Sequence, residues 1–420
     1  MSRLGSSRLF AAVVGLVALA SVAPAEAQNP EPAQAPVRIG PLALAPTFRL
    51  TNVGHDDNVF NVNADNNPTS DVTAQATPIV EGWLRTPRVR ATGRGQFDYF
   101  YYRQLTNLRS LDTDAVARVE LLVNRFTPYV EGSLLNSRHQ NGYEIDIYAR
   151  RRDDSARGGV VIRLTPKTSF DVYTRRFRSA YESDAVPGST DLVHALSSTD
   201  LAHALNRTGT IAGLGVAYKL TPLTTLGLFV EQEQDRFEFS SSRDTNSYRV
   251  MPTVEFNPRA LISGRASIGF RRVEFPSGSA PEFQSSVATV DLIYHVRART
   301  DVAIGVRRDL DYSYLDTQSD YVSTGVATTV TQRIGAGWDL RGTLGRYRLG
   351  YQRRAIGGLT TDFPSETGIN YGMEVGYELG RTRIGFNVDH YERDSDAAVG
   401  RVYNRLRVAT SATYAFQTRR

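Results

Sequence analysis

Oxygen-bearing side chains crowd into one short stretch, Gly54-His55-Asp56-Asp57-Asn58-Val59-Phe60, followed by Asp65-Asn66-Asn67 and Asp71. Clustered carboxylates and amides can surround Ca²⁺, which takes six to eight oxygen ligands. The spacing is not that of an EF-hand loop, however, and Asp and Asn are equally the residues that turns use. A second pattern is paired arginine: Arg175-Arg176, Arg271-Arg272, Arg307-Arg308 and Arg353-Arg354. The guanidinium fork grips carboxylates and phosphates bidentately. The six histidines, His55, His139, His194, His203, His295 and His390, are scattered.

Covalent and cofactor chemistry finds little to work with. The chain has no cysteine, so it has neither a disulfide framework nor a thiolate nucleophile or ligand. No Gly-x-Ser-x-Gly elbow, His-Glu-x-x-His helix or phosphate-binding glycine loop occurs, and the reading is of a non-enzyme without a cofactor. Lysine and arginine number 49 against 44 acidic residues, too even a balance for a nucleic-acid binder. Only Lys167 and Lys219 are lysines.

The elements that must carry these residues recur about every forty positions. Val160 to Leu164 runs into the turn Thr165-Pro166-Lys167-Thr168, and Phe170 to Arg175 runs out of it. Comparable short turns stand at Thr221-Pro222-Leu223-Thr224, Asn257-Pro258-Arg259, Arg297-Ala298-Arg299 and Gly380-Arg381-Thr382. Longer polar stretches, such as residues 179–200 and 356–368, alternate with them. Period-two strands with short turns at one end and long loops at the other are the pattern of an outer-membrane β-barrel. The spacing predicts a single all-β, antiparallel up-and-down barrel of about eighteen strands between residues 42 and 420, with sixteen as the alternative. Tyr321 to Leu340 reads as one long strand and 344–355 as the next, while 145–156 reads as either strand or loop. Gly213-x-Gly215 and Gly335-x-Gly337 read as room for packing within strands.

Alternation then assigns faces. Ile262, Ala266, Ile268 and Phe270 share one face, which a barrel turns to lipid; Ser263, Arg265, Ser267 and Gly269 share the other. By the same parity the lumen receives Arg163, Asp171, Arg175, Glu231, Glu233, Arg249, Glu255, Arg265, Arg271, Asp291, Asp301, Arg307, Arg354, Asp389, Arg405 and Arg407. Arg176, Arg272, Arg308 and Arg353 face outward beside the long loops. An outward arginine costs about 2–4 kcal/mol at the bilayer midplane and about 0–1 at its edge. These four therefore belong at the outer-leaflet interface, within reach of lipopolysaccharide phosphates. Inward aromatics such as Tyr173, Phe229 and Tyr403 are candidates to stack on sugar rings.

The N-terminus has the grammar of a secretory signal over residues 1–27. Arg3 and Arg8 precede an apolar run from Leu9 to about Ala20, and Ala25-Glu26-Ala27 fits a cleavage site. Residues 28–41, with Pro30, Pro32 and Pro36, read as a periplasmic lead-in without structure of its own. The expected location is the outer membrane of a Gram-negative-type bacterium.

Arg38-Ile39-Gly40-Pro41-Leu42-x-Leu44-x-Pro46-x-Phe48, leading into Gly54-x-Asp56-Asp57-Asn58-Val59-Phe60, resembles the start of the outer-membrane β-barrel porins encoded in exopolysaccharide synthesis and export loci. The resemblance covers residues 38–60 in motif and the remainder in architecture. It implies passage of a polysaccharide cargo through the outer membrane, with periplasmic export proteins as partners. Two other functions fit the same barrel: a passive general or solute-specific porin, with residues 179–200 long enough to fold inward and narrow the pore, and a structural or adhesive barrel without transport.

Overall fold

The computed structural model describes residues 35–138, 144–145, 148–182, 198–278, 282–297, 299–314, 320–351, 365–395 and 402–416. Its strands are β1 (Val37–Ile39), β2 (Leu42–Asp56), β3 (Asp71–Arg85), β4 (Val89–Tyr102), β5 (Ser110–Leu121), β6 (Phe126–Ser137), β7 (Arg151–Arg163), β8 (Thr168–Tyr181), β9 (Arg207–Thr221), β10 (Thr224–Phe237), β11 (Thr245–Phe256), β12 (Ile262–Glu274), β13 (Phe283–Val296), β14 (Thr300–Tyr312), β15 (Asp320–Gly335), β16 (Trp338–Tyr351), β17 (Ser365–Leu379), β18 (Thr382–Ser395) and β19 (Tyr403–Ala415). One short helix, α1 (Ser198–Leu205), precedes β9. Each strand from β2 to β19 pairs antiparallel with its neighbours in sequence, and β19 pairs back onto β2. Eighteen strands therefore close on themselves, and closure leaves no sheet edge to be satisfied by water.

The N-terminal lead-in is not structureless, as the prolines suggested. Val37–Ile39 folds back on Leu42–Leu44 and continues the wall where β19 has ended, since Ala415 is already paired with Thr47. The long strand read over Tyr321 to Leu340 is also two elements. Gly335, Ala336 and Gly337 all have positive φ, at 116°, 49° and 87°. That reverses the chain, so Trp338 begins β16. These two glycines serve a turn and not strand packing. Upstream, the strand begins at Arg151, leaving Ile145 and 148–150 outside it.

Outward positions carry a belt of large apolar side chains, among them Leu226, Leu228 and Val230 on β10, Ile268 and Phe270 on β12, and Tyr371, Met373 and Val375 on β17. Inward positions carry charged and aromatic residues. Their contacts prove the inner face, because they join strands that are not neighbours: Arg249 on β11 reaches Asp309 on β14 at 2.8 Å, and Arg271 on β12 reaches Glu233 on β10 at 3.0 Å. Only across the concave side of a closed sheet can such pairs meet. An apolar exterior around a polar interior is the architecture of a transmembrane β-barrel.

Candidate channel interior

Along the middle of the inner wall, arginines lie flat on tyrosines. Arg118 sits 3.7 Å from the Tyr129 ring centre and Arg157 sits 3.7 Å from that of Tyr173. The Tyr129 hydroxyl donates to Asp171, which also pairs with Arg157 at 3.1 Å, and the Tyr173 hydroxyl donates to Glu231. Glu231 faces Arg249 at 3.8 Å; Arg249 and Arg271 then share Asp309 and Glu233. This chain of charges crosses from β5 to β14 and explains how so many ionic groups are buried together: each has an opposite partner and hydrogen bonds.

The tyrosines can lie flat because each covers a glycine directly across the ladder. Tyr129 pairs with Gly159, Tyr173 with Gly213, Phe229 with Gly215 and Tyr347 with Gly368. A Cβ on Gly213 would stand 2.2 Å from Tyr173 Cζ, and one on Gly159 would stand 2.7 Å from Tyr129 Oη. The notches keep aromatic bulk against the wall. Seating a ring on glycine holds one of its faces against the wall; Tyr173 also carries Arg157 at 3.7 Å, and Phe229 rests on Gly215.

Other inward pairs fill the remaining circumference. Arg265 binds Glu255 at 2.7 Å, Arg307 binds Asp291 at 2.6 Å, and Asp301 accepts from both Arg333 and His295. Arg163 takes inward parity at the turn end, opposite Ser169. Among the described residues, Arg175 makes no ion pair or hydrogen bond, and it lies 5.7 Å from the Phe177 ring centre. Ten strands further round, Asp389 makes no ion pair and is held by the amide of Asn387. Both groups have opposite charges on their own wall: Glu233 and Glu131 near Arg175, and Arg407 directly across the ladder from Asp389. Arg353 and Arg354 lie outside the described residues. Of the outward set, Arg272 pairs with Glu274 and Glu282, Arg308 bonds Ser286 and Thr324, and Arg176 has no hydrogen bond or ion pair among the described residues.

The oxygen-rich segment proves to be a clamp on the closing seam. Asp56 accepts from Arg405 Nε at 2.9 Å and again from its Nη2, and from Arg407 at 3.3 Å. Asp57 accepts from the backbone of Leu406, and Asn58 donates to the carbonyls of Val62 and Asn404. A Cβ at Gly54 would stand 2.0 Å from Val408 O, so the two strands approach there as only glycine permits. Among the described residues, no group of three or more metal-ligating side chains is gathered. Arg405, assigned to the inner face by alternation, is buried in this clamp.

The clamp passes into a plug at the loop end. Val59 is fully buried against Tyr102, Leu108 and Tyr148, and the Tyr148 ring meets Phe60 edge-on at 6.1 Å. Tyr148 belongs to the β6–β7 connection and donates to Val59 O at 2.9 Å; burial pushes its hydroxyl pKa up and keeps it a donor. In the same connection, Glu144 accepts from Ser313 Oγ at 2.5 Å and from the Tyr314 backbone at 3.4 Å. Ser313 follows β14, eight strands from β6 in a ring of eighteen, so this strap reaches the opposite wall. Ile145 and Ala149 pack on Leu201, Ala204 and Leu205 of α1, and Arg243 ties Ala204 O to Ser313 O. The inward strap from β6–β7 is not expected from loop length, which points to 179–200; of that stretch, 183–197 lie outside the described residues. Alternation does place Arg118 and Arg157 inward, but no local signal marks Glu144, Tyr148 or Arg243.

No family model and no curated protein matches the chain. Among solved structures, the outer membrane protein OpdK of Pseudomonas aeruginosa aligns over 89% of this chain and 98% of its own at 11% identity, with a TM-score of 0.46. OccAB3 of Acinetobacter baumannii aligns over 90% and 100% at 11% identity with a TM-score of 0.45, and P. aeruginosa OpdO over 89% and 98% at 12% identity with a TM-score of 0.45. Likeness at this level concerns barrel architecture alone.

Proposed function

We propose that the chain is a non-enzymatic outer-membrane channel through which small polar solutes diffuse, with its short turns in the periplasm and its long loops outside. The observation that carries this reading is the strap from β6–β7 to Ser313. A barrel of eighteen strands is wide enough for an aqueous channel unless loops plug it. Here the described parts of two connections and the β2–β3 loop meet across the mouth, and chain folded across a mouth favours small solutes over a polymer.

Purified protein in planar bilayers is expected to conduct ions, and Glu144→Ala combined with Tyr148→Phe is expected to raise the single-channel conductance. A strain lacking the gene keeps its surface exopolysaccharide and takes up a small solute more slowly. Loss of exopolysaccharide with unchanged uptake would overturn the proposal in favour of polysaccharide secretion with periplasmic export partners, the function implied by the 38–60 motif. A protein that inserts but never conducts would favour the structural or adhesive role.

A further inference from the structure

The outer wall is not apolar in the same way all round. Over β3 to β7 one hydrogen-bonded row reads Gly82, Gly93, Ala117, Gly132, Ala156, and it continues on β8 into Arg176. The row beside it passes Gly95 and Ala115 and ends in Leu134, Asp154 and Arg178. All of these point outward. At comparable positions β10 to β18 present Leu, Ile, Val, Phe, Tyr and Met. The result is a groove of about 1320 Å³ on the outer surface, floored by small residues and backbone from β3 to β10.

Its dimensions and charge select an occupant. Residues two apart on a strand are separated by about 6.6 Å, so on β4 and β5, where both rows are small, the furrow is wide enough for an acyl chain. Along β6 and β7 it narrows to one row beside Leu134 and Asp154, and throughout it is too narrow for the convex wall of a second barrel. Five strands spaced about 4.8 Å apart make the small-residue floor about 19 Å long, a little more than the roughly 15 Å hydrocarbon depth of one leaflet. Strand tilt slopes the furrow from Gly82, three residues from the short-turn end of β3, up to Arg176, five residues from the loop end of β8. At that upper end stand Arg176, with no ion pair, and Arg178, paired with Glu238 at a loose 3.6 Å. An outward guanidinium above an apolar furrow calls for an anion, and phosphate fits its fork.

We infer that this groove holds an acylated, phosphate-bearing lipid of the leaflet at the loop end, with its chains along the Gly/Ala floor and its phosphate on Arg176. The inference rests on the barrel being membrane-embedded as proposed above. The groove can be filled without disturbing the fold, because a Cβ at Gly95 meets nothing within 4 Å.

Native mass spectrometry of the full chain in detergent, titrated with diphosphoryl lipid A and with its dephosphorylated form, tests it. Wild type is expected to retain one lipid A and to bind the dephosphorylated form at least about tenfold more weakly, a difference of about 1.4 kcal/mol. Gly95→Leu with Ala117→Leu should weaken binding of both forms, whereas Arg176→Gln should abolish only the preference for phosphate. Bilayer conductance of these variants stays at the wild-type level, so failure of the channel proposal would be seen separately. Equal binding by wild type and the filled variant overturns the inference. So does a wild-type dimer that the filling substitutions convert to monomer, since a second copy would then be the occupant.

Discussion

Asp56→Ala is the sharpest test of the seam. In the wild type one carboxylate answers Arg405 through two guanidinium nitrogens, Arg407 through a third, and the backbone N–H of Asn58. Arg405 is 7% exposed and Asp56 1%. Removing the carboxylate leaves Arg405 buried with Asn61 Oδ1 as its one remaining side-chain acceptor among the described residues, and breaking one side of a buried pair costs about 3–5 kcal/mol. The closing β19–β2 pairing and the Val59 anchor of the plug depend on the same corner, so the loss should appear in global unfolding. Urea titration of detergent-folded barrel, followed by heat-modifiable gel migration, measures it. Asp56→Ala should lower stability by about 3–5 kcal/mol, whereas Asp56→Leu with Arg405→Met should recover much of that, since well-packed apolar replacements of buried pairs are often neutral. A loss below about 1 kcal/mol, or simple additivity of the two single changes in the double variant, would refute the clamp.

Three further outcomes follow from the wall. Gly213→Ala should cost about 1–3 kcal/mol by forcing the Tyr173 ring off its notch, measurable in the same urea titration. Ile268→Arg, within the outward belt, should cost about 2–4 kcal/mol and reduce assembled barrel in membranes, whereas Leu261→Arg in the turn should cost about 0–1; equal assembly of the two would contradict the face assignment. Single cysteines at Ser241, in a long-loop connection, and at Lys167, in a short turn, report orientation: an impermeant thiol reagent on intact cells should label only the first.

What the sequence made legible was whatever repeats locally. Lipid on one side and polar groups on the other impose a period of two, so Ile268 and Phe270 against Ser267 and Arg271 declare their faces without any knowledge of neighbours. The strand count follows from the short turns. The break at Gly335-Ala336-Gly337 is harder to see, because alternation runs unbroken through residues whose positive φ alone turns the chain. Ladder register is harder again. That Tyr173 lies on Gly213 depends on β8 meeting β9 at one offset, and a shift of a residue would put the ring over Ala212 or Leu214. The segment 54–60 shows both limits: its composition announced a special site, yet its partners Arg405 and Leu406 lie about 350 residues away, so composition suggested a cation where the fold supplies guanidinium.

The same reasoning explains why strand grammar is silent about cargo. A closed ring of eighteen strands is a generic wall, and in this one the wall works against selectivity by inward bulk: its aromatic rings lie on glycines and its arginines lie on those rings. Narrowing is left to chain that is not strand. Glu144 finds Ser313 at a separation of 169 residues, Tyr148 finds Val59 at 89, and Arg243 finds Ser313 at 70. None of these pairings has a period, and all of them converge at the loop end. Exchanging the β6–β7 connection alone, with every strand kept, should therefore change what the barrel passes while leaving its stability set by the seam and the ladders.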